Sequence, residues 1–165
     1  MSSTLISLFG FKTWAQTELF EAVATLSAEQ YAEARHTAIR ILNHIHVVDR
    51  IFVGNLQGVA HGYTATNTPE TPELAALQRA ANETDRWYQD YVARLSPTDL
   101  AQPMRFTFTD GDAGTMTHEE MLLHVITHGG YHRGAVGRIL AQCGVAPPRE
   151  LYTKFLHQSE PQRRG

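Results

Sequence analysis

The chain has 165 residues, of which 42% are hydrophobic and 19% charged, with a net charge of −3 and a single cysteine. These values suit one globular domain with its own core. They argue against an internal disulfide and a basic nucleic-acid surface, since Arg163 and Arg164 form the only basic run, and no apolar stretch approaches the ~18 residues of a membrane span.

The first helix is expected over residues 5–26, with Leu8, Trp14, Leu19, Phe20 and Val23 at its apolar positions. Ser27, followed three residues on by Gln30, has the form of an N-cap and starts a new turn or helix. A second long helix spans 32–56; its apolar face is Ile41, Leu42, Ile45, Val48, Phe52 and Leu56, and Gly58 closes it. Residues 59–72 read as a polar loop. Pro72 and Glu73 then open a third helix, through Leu74, Leu77, Trp87, Tyr91 and Val92 to about Leu95, ended by Ser96 and Pro97. From Met104 to Met116 the pattern alternates around Asp110-Gly111, which predicts a small hairpin. Thr117 and Glu120 make a capping box for a fourth long helix over 118–143, stopped by Gly144, Pro147 and Pro148. A short helix over 150–158 and a flexible tail over 159–165 complete the chain. The sum is an all-α four-helix bundle in a single domain, residues 1–158, with a hairpin insert before the last long helix and a long crossover between helices two and three.

The chemistry concentrates on the fourth helix, where His124, His128 and His132 follow one another at four-residue steps. Each step drifts by only about 40° around the helix, so the three imidazoles share one stripe. His128 and His132 fall inside the apolar face of Met121, Val125, Val136 and Ile139, and His124 lies at its edge. Two histidines one turn apart and pointing into a core can grip one metal ion. Gly129 and Gly130 sit mid-helix at a cost of roughly 1 kcal/mol each, so either another backbone comes close there or a ligand needs room. On the second helix, His44 and His46 flank the apolar face from opposite sides, and periodicity does not choose between them. Asp49 stands near the middle of that face and needs a histidine N–H, an arginine or a tryptophan N–H as partner. Cys143 reads as a packing residue. Other metal patterns fail: His118-Glu119-Glu120 lacks the second zincin histidine, because Leu122 stands in its place, and only Glu33 and His36 have di-iron spacing.

Three stretches, LNHIHVVDRIF, HVITHGGYHRG and GVAPPRELYTKFL, resemble the DinB/YfiT-like superfamily of metal-binding four-helix bundles, and the likeness runs through nearly the whole chain. That family carries one ligand histidine ahead of an Asp on helix two, and a His-x-x-x-His pair followed by Arg-Gly on the last long helix. The resemblance therefore implies His44, His128 and His132 as metal ligands, and matches Asp49 and Arg133 to the family's Asp and Arg. Ala135 departs from the family's frequent Gln, and Phe52 from its frequent Trp.

Three neutral imidazoles leave a coordination position open, as catalytic sites do. Imidazole suits several divalent ions; zinc is the first expectation and nickel the second. The resemblance implies a metal-dependent enzyme, a thiol-dependent transferase or hydrolase acting on a small electrophile, with a low-molecular-weight thiol as partner. Asp49 and His124 would orient a ligand or the nucleophile. A homodimer is implied as well, and a lone cysteine without an N-terminal signal points to the cytoplasm. The other reading is a non-catalytic, stress-associated metal-binding bundle.

Overall fold

Apolar residues recur at helical spacing through four long stretches, and each is a helix in the computed structural model, which describes residues 3–164. The elements are α1 (Ser3–Ala24), α2 (Ala32–Gln57), α3 (Leu74–Val92), the one-turn α4 (Pro97–Leu100), β1 (Pro103–Thr107), β2 (Ala113–Thr117), α5 (His118–Gln142) and α6 (Tyr152–Ser159). A 3-10 turn, Pro161–Arg163, follows, with Arg163 Nε donating to Glu160 over 2.8 Å.

The boundaries of α2, α5 and the hairpin fall within a residue of expectation, α1 lies two residues earlier at each end than expected, and α3 and α6 differ for local reasons. Helix α3 stops at Val92, short of Leu95. Ser96 and Pro97 begin a new helical turn, because Ser96 Oγ accepts the Asp99 N–H while the Asp99 carboxylate accepts the Ser96 N–H. Helix α6 starts at Tyr152 rather than at 150, since Leu151 is extended and Glu150 is engaged by Arg133. The capping box at α5 is present in full: Thr117 Oγ1 accepts from the Glu120 N–H at 3.2 Å, and the Thr117 N–H donates to Glu120 at 2.7 Å. In the hairpin, Phe106 pairs with Gly114 and Met104 with Met116. Asp110-Gly111 lies inside a longer loop over 108–112, closed by the Phe108 N–H on the Asp112 carbonyl at 2.8 Å.

Helices α1 and α2 each pack against both α3 and α5 and touch one another little, so they stand diagonally across the bundle. Two apolar clusters fill it. One joins Phe9, Val48, Phe52, Tyr88 and Val125 beneath the hairpin; the other joins Phe20, Leu42, Ile45, Leu77 and Val136. Along every long helix the change from one cluster to the other coincides with polar residues: Lys12 and Gln16, Asp49 with its neighbours His44 and His46, Thr84 and Asp85, and His128 to Arg133. The bundle is thus crossed by a transverse polar layer. No helix among the described residues is long and apolar enough to cross a membrane.

The interior of that layer answers the question of what partners Asp49. It is none of the three groups expected; Lys12 of α1 reaches in, with Nζ 2.8 Å from Asp49 Oδ2 and 2.5 Å from Asp85 Oδ1. Gln16 donates to the other Asp85 oxygen at 3.0 Å, and the Tyr88 hydroxyl donates to the Asp49 carbonyl at 2.7 Å. Burial alone would lower the Lys12 pKa, but the two carboxylates outweigh it and raise it. One cation shared by two acids leaves net negative charge, and burial pushes Asp49 up to about 6 against the pull of Lys12. Removing one member of a buried ion cluster strands the others, typically at about 3–5 kcal/mol. Lys12→Met should lose about that much in urea unfolding near neutral pH; a loss below about 1 kcal/mol would show that the layer is not held by this ion cluster.

Candidate metal centre

On the open side of the polar layer, His44 of α2 faces His128 and His132 of α5. The three rings meet pairwise, with centroids 4.9 Å (His44 to His128), 4.6 Å (His44 to His132) and 4.5 Å (His128 to His132) apart. One donor nitrogen from each ring lies within 4.8 Å of the other two. The Nε2 atoms of His44 and His128 are 3.0 Å apart. Nitrogens sharing a tetrahedral zinc at about 2.0 Å stand about 3.3 Å from one another, so this spacing suits a common ion.

The crossover loop sets the tautomer of His44. Its Nδ1–H donates to the Thr66 carbonyl at 2.7 Å, which leaves the Nε2 lone pair facing the cluster. The loop itself is pinned to α2: Asn43, which is buried, donates to Asn67 and to Thr68 Oγ1, and Arg40 donates to the Thr68 carbonyl at 2.6 Å. Asn43 and Thr66 escape the reading of the sequence, although a buried Asn beside a candidate ligand is a usable signal. Burial, then the neighbouring His132, His44 and His124, lowers the His128 pKa to about 3. His132 is lowered by burial and by His44. Both are therefore neutral near pH 7, the state a metal requires. His128 Nδ1 is buried without a hydrogen-bond partner, which leaves the ring's bonding incomplete around the cluster.

His46 lies outside the cluster, so His44 is the helix-two member, as the resemblance implies. Burial, followed by the charges of Arg50 and Lys12, lowers the His46 pKa to about 4. Asp49 belongs to neither the histidine cluster nor the cavity beside it. His124 lines that cavity, half-buried, stacked on Phe52 at 4.7 Å and on His128 at 5.4 Å; burial lowers its pKa. Cys143 is half-buried and packs against the second apolar cluster.

Of the two mid-helix glycines, Gly129 has a different cause from those anticipated. A Cβ at Gly129 would sit 2.8 Å from Arg133 Nη1, one turn along the same helix. The Arg133 side chain is 1% exposed and forks onto Glu150, with Nε to Oε2 at 2.9 Å and Nη2 to Oε1 at 2.6 Å. Gly129 makes room for this guanidinium, which ties α5 to the chain leading into α6. At Gly130 a Cβ would meet only ordinary contacts, 3.8 Å from Arg133 and 3.9 Å from Glu150.

The cavity beside the histidines has a volume of about 370 Å³. Its walls come from α2 (Val48, Ile51, Phe52), the hairpin (Phe106, Phe108, Met116) and the ligand face of α5.

A helical bundle in which histidines from two helices gather beside a cavity fits a metal-binding protein, and a divalent ion is the group these donors suit. The chain belongs to the DinB family, whose sequence profile matches residues 1–164. The protein named DinB of Bacillus subtilis (strain 168) is 24% identical over 174 aligned positions, which cover 99% of this chain and 99% of that protein. No solved structure matches the chain.

His46 offers a test of the polar layer that does not involve the cluster. Its folded pKa of about 4 lies below the usual 6.5, so its contribution is intact above the usual value and is lost as pH falls toward 4. Between pH 7.5 and 5, wild type should lose roughly 2 kcal/mol more than His46→Gln in urea unfolding. Equal losses would place a solvated imidazole at this position.

Proposed function

We propose that the protein is a metal-dependent enzyme, a thiol-dependent transferase or hydrolase acting on a small electrophile. The observation that carries this reading is the set of three imidazole donors, with no further candidate ligand in their group among the described residues; two of the three, His44 and His128, line a cavity large enough for a substrate. His44, His128 and His132 would hold the ion, zinc first and nickel second. When bound, such an ion supplies Lewis-acid chemistry, bringing the pKa of a water or a thiol toward neutrality.

The chain's own groups do the rest. Thr66 fixes the His44 ring, and Asn43 fixes the loop that brings Thr66. His124 is kept neutral by burial and faces the cavity, where it can hydrogen-bond the substrate or accept a proton from the nucleophile. Asp49 acts through the fold: its bond to Lys12 fixes the part of α2 that carries His44, which makes it a positioning residue.

Isothermal titration of the untagged protein with zinc and with nickel tests the ligand set. His128→Ala should weaken binding at least about 100-fold, while His46→Ala should change it by less than about threefold. Turnover of activated esters, or of aromatic halides with a low-molecular-weight thiol, should require the metal and vanish in His128→Ala. A protein that binds zinc tightly yet is inert toward every thiol and ester would instead be a sequestering bundle.

A further inference from the structure

The cavity beside the histidines is chemically one-sided. Among the described residues that line it there is no Asp, Glu, Lys or Arg; apart from the histidines, its polar side chains are the neutral Asn55, Thr66, Thr107 and Thr109. An anionic group seated against the phenylalanines would lose its hydration with no cation to replace it.

The rings form an unbroken wall. Phe108 meets Phe106 edge-on at 4.8 Å, Phe106 lies 6.3 Å from Phe52, Phe52 stacks on His124 at 4.7 Å, and His124 stacks on the ligand His128 at 5.4 Å. The hairpin builds half of it. Phe106 lies on β1 and Phe108 just past its end, and their ring contact puts both on the same side of the hairpin. Gly114, opposite Phe106, leaves them room, since a Cβ there would sit 2.7 Å from Phe106 and 2.8 Å from Phe108.

We propose that this cavity is the specificity subsite of the centre and that it takes the uncharged aromatic portion of the substrate, with Phe52, Phe106, Phe108 and Met116 as the residues that select it. Rings at mutual angles of 51° and 69° offer a bound ring both face and edge contacts. A cavity of 150 Å³ is enough for benzene, so about 370 Å³ holds a ring and several further heavy atoms but not a charged tripeptide-sized thiol as well. The charged parts of a thiol co-substrate therefore lie outside it, on the solvent side of the histidines. That this ring belongs to the substrate rests on the function proposed above; that the cavity binds it does not.

Fluorine NMR on the metal-free 165-residue chain separates the two, with fluorobenzyl alcohol and fluorobenzoate as probes. The alcohol should bind at least tenfold more tightly than the benzoate. Met116→Trp, which fills the cavity, should weaken the alcohol at least tenfold while the melting curve stays cooperative; if that variant does not fold, Thr109→Trp does the same from the hairpin loop. No binding of the alcohol, equal binding of both probes, or binding indifferent to the filling variant overturns the inference. Zinc titrated separately shows which reading has failed: zinc binding without probe binding removes the aromatic subsite alone, and probe binding without zinc binding upholds the subsite and removes the metal centre.

Discussion

For His44 Nε2 to stand 3.0 Å from His128 Nε2, two residues 84 positions apart in sequence, α2 and α5 must lie side by side in one register. A shift of a single turn would carry His44 about 5.4 Å along α2 and away from both partners. Apolar packing alone holds such a register loosely, because Val, Ile and Leu faces tolerate sliding and repacking. The transverse polar layer removes that freedom. Lys12 can satisfy Asp49 and Asp85 together in one arrangement of α1, α2 and α3, and any slip buries charge without a partner. Arg133, in the same layer, forks onto Glu150 and ties α5 to the segment that leads into α6.

The same layer has two chemically different halves. Its inner half is closed and ionic, with Lys12, Asp49 and Asp85 at 0–3% side-chain exposure. Its outer half is made of imidazoles and opens onto the cavity under the hairpin. Burial lowers the pKa values of His124, His128 and His132, and repulsion from neighbouring imidazoles adds to this at His128 and His132. A cluster of imidazole donors beside a cavity without charged side chains is ready for a cation and poorly suited to an anion. The hairpin, which breaks the helical pattern, is what makes the cavity a pocket rather than a groove between two helices.

Much of this was legible from local pattern. The limits of α2 and α5, the Thr117–Glu120 capping box and the hairpin all follow from residues close in sequence, and the His128–His132 pair follows from the pitch of one helix. The choice of His44 over His46 did not, since both flank the apolar face; it came from the likeness to the DinB family. What pairs Asp49 was illegible for a related reason. Lysines are usually exposed, and nothing in the α1 sequence marks Lys12 as buried until α2 and α3 supply its carboxylates. Gly129 looked like room for a backbone or a ligand, because the guanidinium that crowds it is directed there by Glu150, a residue of another segment. Local periodicity gives faces; partners across faces are tertiary facts.

The central claim is that three imidazoles, and no other protein group, hold one ion at the open end of the polar layer. X-ray absorption at the zinc edge of the zinc-loaded protein tests it directly. The account predicts a first shell of nitrogen and oxygen scatterers at about 2.0–2.1 Å, carrying the outer-shell signature of three imidazole rings. A sulfur scatterer near 2.3 Å, or an oxygen shell without imidazole features, would contradict it.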